Sequence, residues 1–332
     1  MAVTGGLYTT DHVDLQKVYR EVIRSGELYN EAGPNGWRAL MFSNTKRHSV
    51  RVAQRSIEFK PASEYARPDL DHQLYVDFNL NDPVPYELRE GFTAYALDLG
   101  VEAEEILNQA ADARNAATRL QTRACVCEMF KTGAFWDGAM TVAPPPYRTN
   151  TFSTSHTHYE ASNASGSPTL AHFSALKQTI LEHGYGENGT LVGFMNSTQA
   201  ELIENQAEWK TTNNYVSTPF IDQLQSKGLW PSGVALPTMR ASGIPVCIDD
   251  WVPAGYIGVF DLAVENKLGR WRLPDGVADG LIMDTNSNSE RYKFVVTMYR
   301  YYVSATVVHR GAGAIMYLGG SSWSDPSITV GG

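Results

Sequence analysis

The sequence predicts an α+β protein with a mostly antiparallel sheet, and three observations carry that expectation. A long run without proline, 97–131, repeats apolar and small residues at alternating steps of three and four. Short stretches of alternating polarity read as strands, most clearly 74–80, where Leu74, Val76, Phe78 and Leu80 alternate with Tyr75, Asp77 and Asn79. Helical segments with their own caps and stops then stand between further strands in the second half of the chain.

The long run organises the rest. Ala103, Ile106, Ala110, Ala113, Ala117, Leu120, Ala124 and Cys127 fall on one face of a helix expected over 101–131. At about 1.5 Å per residue it is roughly 45 Å long, so it must lie across a broad surface. Small side chains dominate the seam, which predicts a close, shallow contact; Asn115 and Gln121 fall off it. Glu102, Glu104 and Glu105 open the helix, while Arg114, Arg119, Arg123 and Lys131 fill its second half, complementing the macrodipole, and Gly133 supplies the stop. A heptad coiled coil shows the same seam, and the flanking segments decide against it.

Before this helix, Leu15, Val18, Tyr19, Val22 and Ile23 have helical spacing over 11–28, and Gly33-Pro34-Asn35-Gly36 closes that segment. Strands at 49–59 and 74–80 form a long hairpin, whose polar tip, 60–71, contains Pro61 and Pro68. The first limb is basic at Arg47, Arg51 and Arg55, the second acidic at Asp69, Asp71 and Asp77, a pattern that suits pairing with each other or with a neighbouring molecule. A short helical piece is expected over 86–97.

After the long helix, Pro144-Pro145-Pro146 and the Ser/Thr/Asn/His-rich stretch 149–167 mark a boundary. Ser167-Pro168 looks like the cap of a helix carrying Leu170, Phe173, Leu176, Ile180 and Leu181, with Gly184 as its stop. A strand at 190–195 leads to a helix capped by Asn196 or Ser197 and running to about 209, and another helix is expected over 219–228. Strands at 244–248, 256–264, 292–308 and 314–318 complete the chain.

With 332 residues, 43% hydrophobic and 19% charged, the chain can bury a sizeable core. A net charge of −9 argues against a protein that grips nucleic-acid phosphate with a basic surface. Cys125, Cys127 and Cys247 form no disulfide framework and point to a reducing compartment. Neither a secretory leader nor a membrane-length apolar run is visible.

Chemical motifs are few. Gly184, Gly186 and Gly189 spell GxGxxG, but they follow a helix and precede a strand, the reverse of a phosphate-binding turn, so a plain connecting loop is expected. His156 and His158 with Glu160 could offer a metal two imidazoles and a carboxylate. They sit in a polar stretch without a second ligand pair, which favours a solvated loop; a metalloenzyme using these three is the minor alternative. Cys125 and Cys127 are too far apart around the helix to meet on one zinc ion. Catalytic, cofactor-binding and metal residues are therefore expected to be absent.

The order of elements is itself informative. A helical arm, a long two-stranded excursion, a spine-like helix, then an α+β region with strands 243–250 (GIPVCIDD) and 255–261 (GYIGVFD) and a closing strand 313–318 (GAIMYL) resembles the major capsid protein of tailed bacteriophages, the Hong Kong 97-type fold also found in encapsulin shells. The resemblance implies an N-terminal arm at 1–38, an E-loop hairpin region at 39–84, a peripheral domain with the spine helix at 85–147 and 265–309, and an axial domain at 148–264 and 310–332. It implies no enzyme and no cofactor, but a structural protein assembling with itself as hexamers and pentamers. The resulting icosahedral shell would enclose double-stranded DNA without sequence-specific binding or any membrane. Portal, scaffold or decoration proteins would be its partners, the virion its location and the host cytoplasm its place of assembly. An encapsulin-like compartment is the rival within the same class. Arg51, Arg55, Lys60, Asp69, Asp71 and Asp77 become the inter-subunit candidates. Some relatives carry a charged scaffolding segment ahead of the arm; this sequence starts with the arm, so any scaffold is expected to be a separate protein or a part outside this sequence. A covalent weld between Lys60 and Asn286 or Asn288 of a neighbour has a parallel in one relative, though a solvated lysine and turn asparagines are the expectation here.

Overall fold

The computed structural model describes residues 36–54, 75–93, 103–187, 189–206, 230–231, 234–264, 266–277, 279–286 and 294–330. The expected helices at 11–28 and 219–228 and the hairpin tip lie outside these residues.

A short helix α1 (Gly36–Met41) runs directly into β1 (Phe42–Thr45), and a hairpin of β2 (Ser49–Ala53) and β3 (Tyr75–Asn79) follows. Then come β4 (Val84–Thr93) and the long helix α2 (Ala103–Phe130). The remaining elements are β5 (Tyr159–Ala161), α3 (Leu170–Leu181), β6 (Leu191–Met195), α4 (Ser197–Glu204), β7 (Pro237–Ala241), β8 (Ile244–Ile248), β9 (Tyr256–Asp261), β10 (Gly269–Arg272), β11 (Ile282–Asn286), β12 (Phe294–Val303), β13 (Ala305–Val307) and β14 (Gly313–Tyr317).

Segment 86–97 is not helical as far as it is described: β4 replaces the expected helix through Thr93. Glu87, Leu88, Arg89 and Glu90 are good helix formers, but every residue of β4 from Val84 to Thr93 pairs antiparallel with β12 from Val303 to Phe294. Ten ladder positions outweigh a local preference worth a few tenths of a kcal/mol per residue. The expected strand at 292–308 divides at Ser304: β12 joins β4 and β11, whereas β13 joins β10 and, through it, β1.

A six-stranded mixed sheet, ordered β5-β14-β9-β6-β8-β7, holds the main core. Its middle strand β6 is buried at all five positions, as a strand covered on both faces should be. Two glycines show what covers each face. A Cβ on Gly193 would come within 3.1 Å of Phe173 of α3, and one on Gly258 within 3.2 Å of Phe130 at the end of α2. Gly193 pairs with Val259 and Gly258 with Phe194, so the two glycines face opposite ways. Helix α3 thus packs on one face and the C-terminal end of α2 on the other, where Phe130, Phe135 and Phe194 each lie within 6.0 Å of the Phe260 ring. Helix α3 starts two residues later than expected: Thr169, not Ser167, is its N-cap, in a capping box completed by the His172 side chain.

Helix α2 has 28 residues and spans about 42 Å. On the seam, Ala113, Ala117 and Ala124 are buried and Leu120 is partly buried against the core. Side chains of Ala103, Ile106 and Ala110 are not described. Gln121 departs from its expected place off the seam: it is buried and donates from Nε2 to the Tyr301 hydroxyl. The reason is that the helix sinks as it proceeds, so that Thr122, Cys125, Val126, Met129 and Phe130 are buried too and its last turns are surrounded by core. Ala124→Leu is therefore expected to cost about 1–3 kcal/mol by overpacking, and exposed Asn115→Ala less than about 0.5 kcal/mol. Chemical denaturation of both variants checks this; equal losses would place the packed face elsewhere.

Candidate assembly surfaces and a buried histidine cluster

The hairpin leaves the body from a defined base. Val50, Val52, Val76, Phe78 and Leu80 form a small satellite cluster with Val308, apart from the main core. Buried Gln54 ties that base down, donating from Nε2 to the Val308 carbonyl at 2.9 Å and accepting the Arg310 amide at 3.2 Å. Between those anchoring positions, on the other face of the hairpin, Arg51 and Asp77 stand opposite each other in register and form a two-bond ion pair at 2.7 and 2.9 Å. The Arg51 guanidinium holds the Asp77 carboxyl below its ordinary range through that hydrogen bond. Both side chains are more than 60% exposed, so water and salt screen the pair and it adds little to subunit stability. Arg55, Lys60, Asp69 and Asp71 lie outside the described residues, as does Asn288; Asn286 is the last residue of β11, opposite Val296.

The joint between the sheets is built on two consecutive residues. Trp37 and Arg38 are both fully buried. The Trp37 indole donates to Asp249 at 2.9 Å and its ring lies 4.6 Å from Phe194, on the side of the six-stranded sheet. Arg38 donates to the Tyr301 hydroxyl at 2.7 Å, to Asn44 at 2.6 Å and to both carboxylate oxygens of Asp279 at 2.6 Å, with its guanidinium 4.3 Å from the centre of the Trp271 ring. Helix α1 thereby pins the six-stranded sheet to β12 and to β10. Alternating large residues would not have revealed this; Trp37 and Arg38 sit in a short segment with no period.

The glycines of GxGxxG occupy a connecting loop between α3 and β6, as the order of elements requires. All three have positive φ. A Cβ on Gly184 would lie 2.5 Å from the Tyr147 ring, and one on Gly186 would lie 2.5 Å from Leu191. Close packing and backbone conformation account for the first two without a phosphate.

The expected solvated histidine loop is overturned. His158 is 0% exposed, and its Nδ1 lies 2.6 Å from the Gly313 carbonyl at the start of β14. His156 is half-buried, with its Nε2 2.8 Å from Nε2 of His183, which is buried at the end of α3. The three rings lie 4.8 to 5.2 Å apart, and one ligating atom from each lies within 4.8 Å of the others. Phe152 stacks on His183 with ring centres 4.0 Å apart. Glu160 is not a member: its carboxylate accepts the Thr179 hydroxyl at 3.0 Å. Burial pushes all three imidazoles down from their ordinary pKa, His158 to about 3 and His183 to about 2. Spacing could not reveal His183, because only the folding of α3 against β5 and β14 brings it to the other two.

By sequence, no known family model and no curated protein matches the chain. By structure it is similar to a protein of Mycobacterium phage Patience, with 19% identity, TM-score 0.62 and 94% of this chain aligned to 91% of that one. It is similar to the capsid of the native GTA particle, with 15% identity, TM-score 0.52 and coverage of 86% and 90%. A third likeness is to the asymmetric unit of the bacteriophage PhiM1 mature capsid, with 10% identity, TM-score 0.51 and coverage of 85% and 86%. The chain has the α+β, Hong Kong 97-type capsid fold. No described helix is long and apolar enough to cross a membrane.

Proposed function

We propose that this chain is the major capsid protein of a tailed phage, a structural protein and no enzyme, which assembles through hexamers and pentamers into an icosahedral shell around double-stranded DNA. The observation that carries the reading is the capsid fold running through nearly the whole chain. The hairpin supports it: its base has a small anchor on the body, while its ion pair faces solvent, where a neighbouring subunit can reach it. Arg51, Arg55, Lys60, Asp69, Asp71 and Asp77 are its contact set. The arm at 1–38, E-loop region at 39–84, peripheral domain at 85–147 and 265–309, and axial domain at 148–264 and 310–332 are the division this reading assigns. The spine-helix seam from Ala103 to Ala124 belongs to the peripheral domain. A net charge of −9 suits a container that holds DNA without gripping it. Portal, scaffold and decoration proteins are its partners, the host cytoplasm its place of assembly and the virion its destination.

Light scattering and negative-stain microscopy of the expressed protein test this directly. Ring-shaped capsomers or closed shells are expected. A compact monomer that persists at micromolar concentration, alone and with its scaffold or portal, would sink the proposal.

A further inference from the structure

We propose that His156, His158 and His183 form a binding site for one divalent first-row transition ion, zinc being the natural occupant, which clips the strand entering the six-stranded sheet to the end of α3. This inference does not depend on the capsid reading.

Three separate parts of the chain meet at the cluster. His156 and His158 precede β5, His183 ends α3, and the Gly313 carbonyl that contacts His158 begins β14. The hydrogen-bond pattern is that of a ligand set. Nδ1 of His158 donates its proton to the carbonyl, which leaves Nε2 as a lone pair. That Nε2 is buried and has no hydrogen-bond partner among the described residues. A backbone carbonyl orienting the far side of a histidine ring is how protein metal sites commonly fix the tautomer and direction of their ligands. His156 and His183 face each other through Nε2 at 2.8 Å, a contact that requires one proton between two nitrogens. A cation takes that proton's place once the ring carrying it shifts it to its own Nδ1; it then accepts both Nε2 lone pairs and supplies the partner that His158 lacks.

The distances are compatible with small movements. Zinc to imidazole nitrogen is about 2.0–2.1 Å, which places tetrahedral nitrogens about 3.3 Å apart. The 2.8 Å pair opens slightly and the widest pair, within 4.8 Å, closes by about 1.5 Å at most. Half-buried His156, the outermost of the three, has room to take its share of that adjustment. Neutral nitrogen donors suit zinc, copper and nickel over magnesium or calcium. Three protein ligands leave a fourth position, which water fills. Phe152, stacked on His183, gives the site one apolar wall.

The test uses full-length, tag-free protein, stripped with a chelator and titrated with zinc alone, then with cobalt as a spectroscopic probe. One equivalent of zinc should bind per chain and raise Tm by about 4 °C at hundredfold excess over Kd. Cobalt should give the intense visible bands of a four-coordinate site. His156→Ala should weaken binding by more than about 100-fold, since it removes a direct ligand, whereas losing a supporting partner costs about 10–100-fold. Glu160→Gln should bind as the parent does. Should His156→Ala fail to fold, protection of the parent's histidines from diethyl pyrocarbonate by one equivalent of zinc gives an independent reading. Failure of the parent to bind one equivalent, six-coordinate cobalt bands, or unchanged binding in His156→Ala would each overturn the site.

Discussion

Arg38→Ala is expected to lower subunit stability by about 3–5 kcal/mol, measured by urea denaturation, with a matching fall in soluble yield. The side chain has no exposure and satisfies Tyr301, Asn44 and Asp279 at once, so its removal takes the counter-charge from a largely buried carboxylate, leaving it the Asn44 amide, and opens a void beside Trp271. The cost comes mostly from what is left unpaired. Arg38→Met keeps the packed stem while abandoning Asp279, so it should recover part of the packing loss and remain well below the parent. Asp279→Asn keeps an acceptor near the guanidinium and should be milder than either. A loss under about 1 kcal/mol for Arg38→Ala would mean that water reaches Asp279 and that the joint is held by Trp37 alone.

Replacing residues 60–71 with a short glycine-containing turn should separate stability from assembly. The described anchor, Val52, Phe78, Leu80 and Val308 with Gln54, lies outside the replaced segment. Shortening a loop changes its closure entropy by well under about 1 kcal/mol. Circular dichroism and the urea midpoint should therefore stay close to the parent's, while shells fail to form. Reversing charge at Arg51 breaks the ion pair with Asp77, and its effect on assembly should shrink as salt rises. An unfolded shortened protein would assign the tip to the subunit core. Normal shells would show that the hairpin takes no part in assembly, and the proposed function would then rest on fold alone.

Periodic elements with a cap or a stop were legible in the sequence. The long helix, β3, α3, β9 and the closing strand were expected within a few residues of their places, because burial of one face writes itself into spacing. What stayed hidden depended on distant partners. Strand β4 looks helical by composition and becomes a strand only because β12 lies beside it. Gln121 looked exposed by helical phase, yet the core wraps the last turns of α2. His183 looked like an ordinary residue before a stop glycine, and Trp37 and Arg38 like the tail of an arm. Each acquired its role through contacts with residues remote in sequence, which no local pattern encodes.

The order of strands in the large sheet also sets a clock for the newborn chain. Strand β14 sits between β5 and β9, so the gap it fills stays open until residue 317 has been synthesised. At about 5–20 residues per second, translation takes roughly 8 to 30 s to pass from β5 to β14. Through that interval the edge of β5 stays unpaired, and from residue 261 onward that of β9 does too. The spine helix is already made by then, but the sheet that its last turns pack against is not complete. A chain interrupted before β14 therefore lacks the strand that joins β5 to the rest of the large sheet.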